Sequence, residues 1–218
     1  MNSPTLYYVT DPLCICCYGF TPQLTKLRAT LQPGITFITI NGGLFPAEKA
    51  RKADYAFRHY LKGAVNRVTT MTGKQFTDKF WIRLASENFY YDTEPASLAM
   101  YVVGHLKSDR YANHYMEHLQ KKFFVDGIDP TSKEHLARVG QDIGIEKKEF
   151  LKCYDDECFL ELTRKQYKFA KSLGIQSYPS LVLVNNNNAY SVSSGYAKFE
   201  DIQNNLNWAM SQEKQPQN

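Results

Sequence analysis

Hydrophobic positions at the two ends of the chain follow strand and helix periods in turn. Leu6-Tyr7-Tyr8-Val9 is aromatic and β-branched, as strands are, and Asp11-Pro12 interrupts it. Leu24, Leu27 and Leu31 fall at helical spacing, which predicts a helix from near Cys14 to about Leu31. Pro22 should kink that helix, and Gln32-Pro33-Gly34 should end it. Ile35 to Ile40 reads as a second strand. Strand, helix and strand in this short compass predict a parallel pair joined by a right-handed crossover.

Between Glu48 and Leu173 the strand pattern nearly vanishes. Helices are predicted at Glu48 to Lys62, Gln75 to Ser86, Pro95 to Leu106, Arg110 to Phe124, Ser132 to Gly140 and Phe159 to Leu173. Loop-like breaks such as Asp126-Gly127-Ile128-Asp129-Pro130 separate them. Strands return at Ser180 to Val184 and Ala189 to Ser194, joined by Asn185 to Asn188, which predicts a hairpin. Phe199, Ile202, Leu206 and Ala209 predict a last helix, and Ser211 to Asn218 reads as a frayed polar tail. The pattern describes an α/β core interrupted by a large all-α insertion, with parts 1–47, 48–173 and 174–218.

Composition narrows the function classes. With 218 residues and 43% hydrophobic positions the chain can bury a core. A net charge of +4 is too mild to suggest a nucleic-acid protein. No apolar run approaches the roughly 18 residues of a membrane span. Met1-Asn2-Ser3-Pro4 lacks the basic start and apolar stretch of a signal peptide, so a cytoplasmic location is expected.

Five cysteines are too few, and an odd number, for a disulfide scaffold. Three of them form one cluster, Cys14-Ile15-Cys16-Cys17, a C-x-x-C directly after a strand and at a predicted helix start. Free N–H groups and a positive partial charge at a helix start stabilise a thiolate, so Cys14 is expected to have a lowered pKa and to be the nucleophile. Cys17, one turn on, can resolve a mixed disulfide formed there. Half of a zinc site is the rival interpretation, but zinc needs a second pair of ligands.

Tyr8-Val9-Thr10-Asp11-Pro12-Leu13-Cys14-Ile15-Cys16-Cys17-Tyr18-Gly19-Phe20 resembles the active-site segment of DsbA-family proteins, which have the thioredoxin fold. The resemblance is strongest to the cytoplasmic branch of FrnE-type disulfide isomerases. Asn88 to Ala96 resembles a segment of that branch's helical insertion, and Gly174 to Val182 resembles the segment before the third strand. The resemblance implies a thioredoxin fold interrupted by the helical insertion, and a protein disulfide isomerase or reductase that needs no cofactor and no metal. Its partners would be protein thiols and disulfides, with glutathione or a thioredoxin-type protein as reductant. It also implies a cis Pro179, with the backbone of Tyr178 pairing with substrate as an added strand. This sequence departs from the branch at Cys16, where an aromatic residue is usual. Cys16 could compete for Cys14 or simply sit beside a working pair. Two other functions remain open. One is a glutathione-dependent isomerase or transferase on the same fold, whose members usually carry serine in place of the first cysteine. The other is a non-catalytic metal-binding or partner-binding module.

Cys153 and Cys158 form a C-x4-C. FrnE-type proteins can carry a similar accessory redox pair. On one unbroken helix such residues lie beyond disulfide reach, so they bond only if the helix breaks, with Asp155 or Asp156 as a new cap. Otherwise they are two unrelated cysteines. The nearby acids would disfavour their thiolates. His114 and His118, at i and i+4, read as a surface pair. Gly42-Gly43 reads as a loop after the second strand. Tyr90, Tyr91 and Trp81 read as insertion core, or as the wall of a peptide groove.

Overall fold

A computed structural model describes residues 3–212. The predicted opening unit is present as β1 (Thr5–Thr10), α1 (Ile15–Thr30) and β2 (Thr36–Asn41), with β1 and β2 parallel from Thr5↔Thr36 to Thr10↔Asn41. Side chains alternate along β1. Leu6 and Tyr8 enter the main core, while Tyr7 and Val9 face a smaller cluster with Ile40 and Ala170. The helix α1 continues through Pro22. The Tyr18 carbonyl, which the proline cannot serve, accepts the Thr21 hydroxyl at 3.0 Å.

A helix is expected from Glu48. Instead, a 3₁₀ turn at Ala47–Lys49 leads into a two-residue strand, β3 (Arg51–Lys52), which pairs with β4 (Tyr90–Tyr91). The helix α2 (Tyr55–Thr72) begins later because Asp54 caps it, accepting the Phe57 amide at 2.8 Å. Then come α3 (Asp78–Leu84), α4 (Glu94–Leu106), α5 (Asp109–Phe124) and α6 (Lys133–Asp142). The middle of the chain is therefore helical apart from one small ladder. The helix α7 (Lys147–Tyr154) was not predicted, because only Phe150, Leu151 and Tyr154 mark its apolar face among charged residues.

The helix α8 (Glu157–Ser172), which the apolar pattern groups with the insertion, packs on β2 and places Ala170 against Val9 and Ile40. The hairpin β5 (Ser180–Asn185) and β6 (Asn188–Ser194) turns through Asn186 and Asn187, at φ 45° and 67°. Positive φ at both positions is what a two-residue type I′ turn requires. The sheet order is β2-β1-β5-β6, with β5 antiparallel to β1. The last helix, α9 (Phe199–Ser211), packs with α1 and β6, so Ser211 belongs to a helix rather than to the polar tail. The rest of that tail, residues 213–218, lies outside the described residues. One buried cluster joins Leu6 and Phe20 of the sheet layer to Phe80, Phe123, Phe124 and Phe150 of the insertion, so the two parts share a core. No helix among the described residues is long and apolar enough to cross a membrane.

Candidate active site

Cys14 is the N-cap of α1. Its extended backbone (φ −73°, ψ 119°) lets Sγ turn back over the helix start and accept the Cys17 amide at 3.4 Å. Asp11 shapes the turn that delivers it. The Cys14 amide donates to the Asp11 carbonyl at 3.1 Å, and the Leu13 amide donates to the Asp11 carboxylate at 3.0 Å. The other carboxylate oxygen accepts the Leu44 amide at 2.8 Å, which ties the loop after β2 to the same turn. Asp11 is fully buried, and burial pushes its pKa up to about 6. From the insertion, the Tyr91 hydroxyl donates to the Leu13 carbonyl at 2.6 Å.

The segment before β5 faces Cys14 from across the site. The Tyr178-Pro179 peptide bond is cis, and the Cys14 thiol donates to the Tyr178 carbonyl at 3.8 Å. The Tyr178 hydroxyl donates to the Gly42 carbonyl at 2.7 Å. The structure thus gathers Cys14, Cys16, Cys17, Tyr178 and Pro179 in one place. Cys17 is fully buried, Cys16 is half-buried and Cys14 is 6% exposed. All five cysteines are free thiols. A cleft of about 270 Å³ opens at Cys14 and Cys16, walled by Leu44, Phe45, Tyr60, Tyr91 and Tyr178.

The lowered Cys14 pKa expected from the helix start is not found. A hydrogen bond from the Cys16 thiol pulls it down. The Cys17 side chain and burial together push it further up, and Cys14 lies well above the ordinary thiol range. The same contact with Cys14, with burial second, pushes Cys16 up strongly. Burial and the Cys17 side chain thus disfavour the Cys14 thiolate, while a backbone N–H is already aimed at the sulfur.

Cys153 and Cys158 are not part of this cleft. The helix does break between them: α7 ends at Tyr154, and Asp156 caps α8 by accepting the Cys158 amide at 2.9 Å. Cys158 is exposed, while burial raises the pKa of Cys153. His118 pairs with Asp142 at 3.1 Å. No group of three or more His, Cys, Asp or Glu among the described residues is gathered to hold a metal ion. Tyr91 is core as expected and also walls the cleft, Trp81 packs half-buried at its edge of the core, but Tyr90 is 51% exposed. Sequence reasoning missed the roles of Asp11, Gly42 and Tyr60. The glycine doublet after β2 was the one available signal, since close approach of another chain segment is a common reason for glycine there.

A thioredoxin family model matches residues 7–204. No curated protein matches the chain. Among solved structures, a Nitrosomonas europaea protein provisionally assigned as a protein disulfide isomerase is similar at TM-score 0.86 and 25% identity, over 96% of this chain and 98% of that one. The cytosolic disulfide reductase DsbM from Pseudomonas aeruginosa is similar at TM-score 0.73 and 21% identity, over 95% and 99%. Its structure with GSH gives 0.71 and 19%, over 95% and 99%. With the match running through both the sheet and the insertion, the chain belongs to the thioredoxin family and has the fold of the DsbA-type thiol–disulfide oxidoreductases.

Proposed function

We propose that the protein reduces or isomerises disulfides in polypeptides, with Cys14 attacking and Cys17 resolving. One observation carries this: the Cys14 sulfur sits between the Cys17 amide and the Tyr178 carbonyl, at the mouth of a cleft. In the first step the Cys14 thiol gives up its proton as Sγ attacks one sulfur of a substrate disulfide, and that proton balances the one the leaving sulfur takes up. The other substrate sulfur leaves as a thiolate and takes up a proton. The Cys17 amide stabilises the attacking charge. The Tyr178 backbone aligns the substrate as an added strand beside Pro179. Cys17 then attacks the Cys14 sulfur and releases the second substrate thiol, so two electrons pass from the dithiol to the substrate. Isomerisation follows when a substrate thiol attacks the mixed disulfide first. A low-molecular-weight thiol such as glutathione, or a thioredoxin-type protein, restores the dithiol. The GSH-bound structure of DsbM supports the former, and the cytosolic description of DsbM supports a cytoplasmic location here.

Insulin reduction and refolding of scrambled ribonuclease, run on wild type, Cys14→Ser and Cys17→Ser, test this. Cys14→Ser should lose both activities, and Cys17→Ser should accumulate a mixed disulfide at Cys14. Full activity in Cys14→Ser would overturn the mechanism. The intact Cys14 also disfavours a glutathione-dependent isomerase or transferase, and nothing in the cleft favours one.

A further inference from the structure

A basic stretch of the chain includes the helix that walls the active-site cleft. Residues 48–67 hold six basic residues (Lys49, Arg51, Lys52, Arg58, Lys62, Arg67) against Glu48 and Asp54. That is a local surplus of four positive charges. Among the described residues, Arg51, Lys52, Lys62 and Arg67 have no carboxylate within ion-pair distance. Arg51 lies over the Phe57 ring at 5.3 Å, and Lys52, Lys62 and Arg67 are exposed.

This stretch meets the cleft along one face of α2. Tyr60 and Ala64 line the cleft with Cys14 and Cys16. Arg67 follows at the next turn of the same face, by helical spacing. Its guanidinium lies back along the helix, 3.7 Å from where a Cβ on Gly63 would stand. Arg67 is close enough to Cys16 to favour its charged form. Tyr60 is 63% exposed, stacked on Phe57 at 6.0 Å, with Phe45 edge-on to Phe57 at 5.5 Å. A ring packed on Phe57 and bare on its outer side offers an apolar wall.

We infer that the α2 face carrying Tyr60 and Arg67 selects disulfide-bearing polypeptide segments in which the reacting cysteine is flanked by an apolar residue and by acidic residues. The apolar residue lies on Tyr60. The carboxylates meet Arg67. This rests on the proposal that Cys14 and Cys17 exchange disulfides.

The probes are two disulfide-linked, fluorescence-quenched peptides, identical except for Glu or Lys at the positions flanking cysteine. Wild type should give about 10-fold higher kcat/KM on the Glu peptide at 50 mM salt. The ratio should shrink to about 3-fold or less at 500 mM, where screening is short-ranged. Arg67→Glu should abolish or reverse the preference, and Arg67→Gln should halve it or more. Lys148→Glu, on the exposed surface of α7, should leave it intact. Tyr60→Ala should slow both peptides about equally, raising KM rather than lowering kcat. Equal turnover of the two peptides by wild type at 50 mM salt overturns the inference. A preference that survives Arg67→Glu overturns the assignment to this face. No turnover of either peptide overturns the exchange mechanism itself.

Discussion

Gly42→Ala should damage the active site without touching a cysteine. Gly42 follows β2 and bonds to both neighbours: its amide donates to the Thr10 carbonyl at 2.7 Å, and its carbonyl accepts the Tyr178 hydroxyl at 2.7 Å. A Cβ there would stand 2.0 Å from Tyr178 Cε1, 2.4 Å from Cζ and 2.7 Å from Oη. Real side chains do not approach so closely, so the Tyr178 ring must swing out. The lost hydrogen bond costs about 0.5–1.5 kcal/mol, and the forced repacking about 1–3 kcal/mol. Together these come to roughly 1.5–4.5 kcal/mol, or a Tm lower by roughly 3–18 °C for a chain of this size. Insulin reduction should fall as well, because the Tyr178 carbonyl that faces Cys14 loses its anchor. Tyr178→Phe removes the hydrogen bond alone and should cost about 1 kcal/mol. The decisive measurement is a double-mutant cycle. With Tyr178→Ala already in place the clash is gone, and Gly42→Ala should be neutral or stabilising, a coupling of about 2 kcal/mol or more. Equal costs in both backgrounds, or a Gly42→Ala variant as stable and active as wild type, would refute this account of the glycine.

Three further outcomes are expected. Burial raises the Asp11 pKa from 3.8 to about 6, so the folded state binds that proton more tightly. Stability should therefore fall as pH rises from about 4 to about 6, by roughly 3 kcal/mol in all. Asp11→Asn should remove that slope from a series of urea unfolding curves, and a constant gap between the two proteins from pH 4 to 7 would contradict the shift. The Cys16 hydrogen bond is the largest influence holding the Cys14 pKa down. Cys16→Ala should therefore slow alkylation of Cys14 at pH 7 several-fold and Cys16→Ser less so, while a faster Cys16→Ala would show that the third thiol competes instead of assisting. The Cys153→Ser, Cys158→Ser double variant should shift the redox potential or the isomerase rate if the helix break lets this pair exchange with Cys14 and Cys17, and wild-type values for both quantities remove the pair from the redox chemistry.

Local signals were legible and long-range ones were not. The C-x-x-C at a helix start, the strand pair around α1 and the asparagine hairpin all depend on residues close together in the chain, and each lies where its pattern predicts. Asp156 capping α8 was foreseeable for the same reason, since a cap acts on its own helix. The burial of Cys14 was not foreseeable. A helix start favours a thiolate, but the walls that exclude water come from Tyr60 and Tyr91 in the insertion and Leu44 beyond β2. The two-residue ladder β3–β4 was hidden because Arg51-Lys52 carries no strand composition, and its pairing comes from contact with Tyr90-Tyr91. Tyr90 and Tyr91 themselves show the limit: adjacent in a strand, they point to opposite faces, so one is buried and the other exposed.

The insertion therefore belongs to the chemistry as well as to the core. The turn that presents Cys14 is held from two directions. Asp11 bonds it to the loop after β2 at Leu44, within the thioredoxin layer. Tyr91 bonds its Leu13 carbonyl from the small ladder of the insertion. That ladder is itself fixed to the same loop, because the Phe45 amide donates to the Thr93 hydroxyl at 3.2 Å and the Phe45 ring packs edge-on to Tyr91 at 6.2 Å. Displacing β4 would move the Cys14 turn and the cleft wall together. A chain that kept the sheet, α1 and the cysteines but lost residues 48–95 would retain the C-x-x-C. It would lose the Tyr60 wall and the Tyr91 tether. The thioredoxin layer thus supplies the sulfurs, while Tyr60 and Tyr91 of the insertion wall the cleft in which Cys14 lies.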